Sequence, residues 1–201
     1  KIFEYLKFPM NFQIHLLSWI SPVKNEPLSD YAKRMCKRVV HKNPILLGVS
    51  FGGILVQEMA KYVSVKKIVI VSSIKSKGEL PLPMKMAKRT NAHKLLPTQL
   101  IENIDNLAIF AFGKGIKKRV ALYQRYLSER NSEYLDWAIN ALVHWDQNKF
   151  SNKLIHIHGD SDSVFPIKNL ISPFFKIKGG HAIIITESIW FNKELPSILQ
   201  K

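Results

Sequence analysis

The sequence predicts an α/β fold: a mainly parallel sheet flanked by helices, with a helical insertion between its second half and its first. Three observations predict it. Ile45–Val49 and residues 66–72 are short, continuous, apolar runs of the kind buried on both faces of a parallel sheet. Helix-compatible stretches alternate with these runs. Between about 77 and 150 the strand pattern stops and only helical periodicity remains. The 201 residues suit one domain, with a core from 1–76 and 151–201 and an inserted helical cap from 77–150.

The elements follow in order. Residues 11–19 (NFQIHLLSW) read as a strand ended by Ser21-Pro22. Ser29 or Asp30 is placed to cap a helix over 31–40. Pro44 then precedes the Ile45–Val49 strand, and Gly52-Gly53 leads into a helix over 54–63. Residues 66–72 (KKIVIVS) are the next strand, rich in β-branched side chains. Leu80-Pro81-Leu82-Pro83 opens the insertion, with helical patterns at 97–110, 118–128 and 132–145. Residues 152–158 and 174–177 return to strand character, and 187–199 form a closing helix.

Composition narrows the function classes. Apolar residues make up 46% and charged residues 22%, which is globular and excludes a disordered or fibrous chain. No apolar run approaches the ~18 residues that cross a bilayer, so no membrane span is expected. Cys36 is the only cysteine, which excludes an internal disulfide and suits a reducing, cytoplasmic setting. The net charge of +15 invites a nucleic-acid reading, but it is spread along the chain, with +5 over 1–47 and +5 over 81–150. Lys33, Arg34, Lys37 and Arg38 lie opposite an apolar helical stripe, as a solvated face does. Specific nucleic-acid binding is not expected, and the pattern leaves the oligomeric state open.

Chemistry concentrates at Gly48-Val49-Ser50-Phe51-Gly52, a G-x-S-x-G sequence between a buried strand and a helix. A chain turning sharply there strains Ser50 and exposes its hydroxyl, and residues two before and two after must be small for strand and helix to approach. A serine hydroxyl needs a base to take its proton and a third group to orient that base. Both are available where later strands end. His158-Gly159-Asp160-Ser161-Asp162 follows one strand and Gly179-Gly180-His181 the next, on the sheet edge that would carry Ser50. Asp160 and Asp162 both compete for the orienting role.

These motifs resemble the α/β-hydrolases over nearly the whole chain. GVSFGG is similar to the family's nucleophile elbow, HGDSDSVFP to its acid loop and GGH to its histidine loop. The resemblance implies Ser50 as nucleophile, His181 as general base and Asp162 as the residue orienting it. Asp162 rather than Asp160 has the family's spacing to His158-Gly159 and Pro166. Phe51 would lend its backbone N–H to an oxyanion hole, and 77–150 would be the cap shaping a pocket for a small acyl substrate. The implied activity is hydrolysis of a carboxylic ester, thioester or small amide without a cofactor; the alternative is an inactive binding protein on the same fold. By the same resemblance, Lys1 to Phe8 form the helix after an upstream oxyanion loop. The strand and loop before it are absent, so the chain reads as an N-terminally incomplete copy with a central gap between 11–19 and Ile45–Val49.

Other groups have plainer readings. His156-x-His158-x-Asp160 resembles the start of a binuclear metal motif, but Ser161 stands where a further histidine is needed and no metal site is expected. His158 reads as a structural residue at the strand end. Cys36 reads as a small core residue. Phe110, Phe112, Tyr123, Tyr126, Tyr134, Trp137 and Trp145 read mostly as packing the cap onto the sheet.

Overall fold

The computed structural model describes residues 2–90 and 132–200. Four strands, β1 (Ile45–Val49), β2 (Lys67–Val71), β3 (Leu154–Gly159) and β4 (Phe175–Ile177), form one sheet in that spatial order. All three pairings are parallel, with Gly48 beside Ile70, Val71 beside Ile157 and Gly159 beside Ile177. Among the described residues six α-helices accompany them: α1 (Leu28–Cys36), α2 (Phe51–Met59), α3 (Leu82–Thr90), α4 (Ser132–His144), α5 (Ile183–Thr186) and α6 (Ser188–Gln200).

The continuous apolar strands are explained by burial on both faces. In β2, Ile68 and Ile70 join a core with Tyr31 and Met35 of α1, Leu55 and Met59 of α2 and Trp137 of α4. Val69 and Val71 point the other way, into a core with Ile157, Ile177, Ile183 and the α6 residues Phe191, Leu195 and Leu199. A strand whose alternate residues meet different helical layers has no polar face to show. A third cluster, with Ile54, Ile74, Leu80, Trp145, Val164 and Phe165, packs under the carboxyl ends of the strands.

Three expectations are corrected. Residues 11–19 form no strand; they run without regular structure, tied by Arg38 to the Ser18 carbonyl at 2.9 Å and by the Tyr31 hydroxyl to the Ile20 carbonyl at 2.8 Å. Period-2 patterning yields a strand only beside a partner ladder, and among the described residues β1 pairs on one side only, with β2. The helix expected over Lys1 to Phe8 is not found among the described residues 2–8: residues 2–5 make a turn, with the Leu6 N–H bonded to the Phe3 carbonyl at 3.1 Å. So short a segment before Pro9 cannot offset helix nucleation, and Phe3, Leu6 and Phe8 pack against the core beneath α6. Helix α1 starts earlier than expected, with Pro27 rather than Ser29 or Asp30 at its N-cap. The α4 expectation agrees with Ser132–His144. Helix α3, within the expected insertion, was not foreseen. The helices expected over 97–110 and 118–128 lie outside the described residues.

Candidate active site

The turn from β1 into α2 sets Ser50 at φ 54°, ψ −123°, a conformation L-residues adopt only under constraint. Its N–H donates to the Val71 carbonyl at 3.0 Å, and its carbonyl accepts from the Ser73 hydroxyl at 2.7 Å and the Gly53 N–H at 2.9 Å. The end of β2 thus grips the strained residue from both sides. A β-carbon on Gly48 would lie 2.1 Å from the Gly52 carbonyl oxygen. One on Gly53 would lie 2.5 Å from the Ser73 side chain, whereas one on Gly52 meets only Trp19 at 3.9 Å. The close approach therefore requires glycine at 48 and 53. The expectation that 52 must be small is corrected, because that Cα faces an aromatic ring with room to spare.

The loop after β3 carries both candidate acids, and the structure separates them. Asp162 is buried; its Oδ1 accepts the N–H groups of Val164 at 2.8 Å and Phe165 at 3.1 Å, and its Oδ2 lies 2.8 Å from His181 Nδ1. Burial alone would raise its pKa, but the His181 charge and the hydrogen bonds from His158 and His181 outweigh it and hold the carboxyl well below its ordinary range. Asp160 is exposed and turns away, its Oδ1 accepting the Gly179 N–H at 3.0 Å. It fastens the acid loop to the histidine loop rather than bonding its own turn.

His181 arrives on the loop after β4. Gly159 makes room for it: a β-carbon there would lie 2.4 Å from the Gly179 carbonyl and 2.5 Å from that of Gly180. His181 Nε2 lies 2.9 Å from Ser50 Oγ. Because the Asp162 carboxylate only accepts, Nδ1 of His181 carries the proton of a neutral ring and Nε2 presents its lone pair to the hydroxyl. Ser50, His181 and Asp162 thus form one hydrogen-bonded line across the carboxyl ends of β1, β3 and β4. Such a line can move a proton from the hydroxyl to the imidazole while a fixed anion steadies the resulting charge.

Phe51 opens α2, so its N–H has no carbonyl of a preceding helical turn to bond. Its ring stacks on Trp19 at 6.0 Å and meets Trp137 edge-on at 5.7 Å. Tyr134 and Trp137 are buried against these rings and Tyr31, and Trp145 donates to Glu58 Oε1 at 2.7 Å. These three aromatics pack the end of the insertion onto the core; Phe110, Phe112, Tyr123 and Tyr126 lie outside the described residues. Cys36 is half-buried, and burial pushes its thiol pKa up. A cleft of about 290 Å³, lined by Gln57, Lys61, Val65, Gln147 and Lys153 among others, opens instead near the amino ends of β2 and β3.

Sequence reasoning missed one contact. His158 Nε2 lies 3.2 Å from Asp162 Oδ2 and 2.8 Å from the Phe165 carbonyl, while its Nδ1 lies 3.0 Å from His156 Nε2. The signal was the alternation of the two histidines, which puts both rings on one side of β3. The same alternation resembles the start of a metal motif, set aside on sequence grounds, and Asp160, its third member, points elsewhere.

No protein-family model matches the chain, and no curated protein is similar to it in sequence. Solved structures are similar in fold. An esterase from Exiguobacterium antarcticum superposes with a TM-score of 0.63 at 16% identity, covering 87% of this chain and 74% of that one. A hydrolase from Pseudomonas aeruginosa PA01 gives 0.65 at 16% identity, covering 87% and 72%. A bromoperoxidase from Bacillus anthracis gives 0.58 at 17% identity, covering 86% and 73%. The parallel sheet flanked by helices agrees with these likenesses: the chain has the α/β-hydrolase fold.

Proposed function

We propose that the chain is a serine hydrolase that cleaves a carboxylic ester, or a thioester or small amide, through an acyl-Ser50 intermediate. One observation carries the reading: the line from Ser50 Oγ to His181 at 2.9 Å and on to Asp162 at 2.8 Å, beginning at a strained strand-to-helix turn. Esterases and hydrolases among proteins of similar fold support it. As Oγ attacks the acyl carbon, its proton passes to His181 Nε2, and the imidazolium is steadied by the ionised Asp162. The Phe51 N–H, at the positive end of α2, faces the oxygen on which negative charge develops. His181 then returns the proton to the departing alkoxide, thiolate or amine. A water delivers its proton to the same nitrogen, attacks the acyl group and restores Ser50. These steps need neither cofactor nor metal.

Turnover of short-chain nitrophenyl esters tests the reading. Ser50→Ala, His181→Ala and Asp162→Asn should each lower kcat by about 10³-fold or more, while Asp160→Asn keeps most of it. Full turnover in the Ser50 variant rejects the mechanism. Equal loss in the Asp160 variant transfers the orienting role to Asp160. A protein that binds esters but turns none over is the inactive binding protein.

A further inference from the structure

Behind Asp162 stand two buried imidazoles that the proposed reaction does not use. His156 and His158 sit two residues apart on β3 and are 2% and 0% exposed. The rings meet edge-on at 87°, with His156 Nε2 3.0 Å from His158 Nδ1. Nε2 of His158 faces only acceptors, the Phe165 carbonyl and Asp162 Oδ2, so that nitrogen carries a proton. Burial above all pushes the His156 pKa down to about 3, so this ring is neutral and holds one proton. Placed at Nε2, that proton faces the lone pair of His158 Nδ1. The remaining His156 Nδ1 has no hydrogen-bond partner, which a lone pair tolerates better than a buried N–H.

We propose that His158 is a positioning residue: its Nε2–H holds the Asp162 oxygen that faces His181, and His156 fixes the proton placement of His158. The inference rests on the Ser50–His181–Asp162 reading above. Backbone N–H groups hold Oδ1 and His181 Nδ1 reaches Oδ2 at 2.8 Å. The His158 Nε2–H, bonded to the Phe165 carbonyl at 2.8 Å, is shared with Oδ2 at 3.2 Å and adds a second, longer contact there. Sharing Oδ2 between two imidazoles also limits the pull of the carboxylate on a protonated His181. The titratable groups facing the pair are Asp162 from the loop after β3, His181 from the loop after β4, and Lys75 with its partner Glu79 from the segment after β2. Phe174 supplies an apolar wall, its ring centroid 5.7 Å from that of His156.

The sign of the effect follows. Without the Nε2–H donor, Oδ2 interacts more strongly with His181 and stabilises its protonated form. The pH at which His181 becomes free to accept the serine proton then rises. The experiment is the rate of Ser50 labelling by a fluorophosphonate across pH 5 to 9, in the wild-type chain and in Ser50→Ala, His158→Leu and His158→Gln variants. The expected result is an acid limb shifted up by about 0.5–1 unit in His158→Leu, with His158→Gln, whose amide still donates, close to the wild type. A limb unmoved in His158→Leu overturns the proposal while leaving the serine-hydrolase reading intact. No labelling of the wild type at Ser50 overturns that reading and this inference with it. Should His158→Leu fail to fold, nitrogen-15 NMR of the wild-type imidazoles decides. A neutral His158 protonated at Nε2 supports the proposal, and one protonated at Nδ1 overturns it.

Discussion

The α-carbon of Gly48 packs directly on the carbonyl of Gly52, so close that a β-carbon at 48 would stand 2.1 Å from that oxygen. Strand β1 and helix α2 therefore meet backbone to backbone around Ser50, and the strain at Ser50 is the cost of that contact. Gly48→Ala should destabilise the chain by about 1–3 kcal/mol and move the Ser50 hydroxyl off its line to His181. Gly52→Ala has only Trp19 at 3.9 Å to meet. It should be neutral or stabilise by up to about 1 kcal/mol, since alanine is the better helix former. Urea unfolding of the two variants checks the contrast, and equal losses would show that the glycines act through a common restraint.

Acid should loosen the fold through His156. Its pKa falls from an ordinary 6.5 to about 3 in the folded chain, first because of burial and then because of the neighbouring His158 and Lys75. A histidine depressed in this way binds fewer protons folded than unfolded. Its contribution is therefore present above pH 6.5 and lost as pH falls towards 3, by about 1.4 kcal/mol per unit. Asp162, also depressed, carries the same sign below the ordinary carboxylate range. Unfolding free energy measured from pH 7 to 4 should drop steeply in the wild type. In His156→Phe, less stable at neutral pH, the slope should be visibly shallower.

Lys75 and Glu79 form a buried pair, 1% and 0% exposed, with Nζ 3.8 Å from Oε1. The ammonium also donates to the Ile171 and Pro173 carbonyls and lies 4.8 Å from the Phe150 ring. Glu79 in turn accepts the backbone N–H groups of Lys75 at 2.6 Å and Ile171 at 2.7 Å. Glu79→Ala should cost about 3–5 kcal/mol, because it strands a buried charge and two buried donors. Adding Lys75→Met to Glu79→Gln should cost much less than Glu79→Ala alone. Denaturation midpoints of the three proteins measure the difference.

The parts of the fold read most directly from sequence are those whose burial is two-sided. Ile45–Val49 and Lys67–Val71 show as continuous apolar runs because alternate residues meet α2 on one side and α6 on the other. Residues 11–19 carry a strand's alternation, yet pairing is a property of neighbours, and no ladder reaches them among the described residues. The site was legible as far as each residue sits at a strand end: Ser50, Asp162 and His181 were named from motif order, and they meet. Asp160 and Asp162 differ by two positions; the family-like spacing to His158-Gly159 and Pro166 favours Asp162, and in the fold Asp162 meets His181 while Asp160 faces Gly179. The approach of His158 to Asp162 was hidden because it crosses a turn. The H-x-H spacing gave the shared side of β3 but not what lay opposite.

The most direct test is to trap the intermediate. Mixing the chain with an activated short-chain ester, quenching in acid and mapping peptides by mass spectrometry should find the acyl group on the peptide bearing Ser50. The adduct should vanish in Ser50→Ala, and in His181→Gln it should form and decay far more slowly, because acylation and deacylation need the same base. An adduct on another residue, or turnover with no adduct and no dependence on Ser50, would contradict the acyl-serine mechanism.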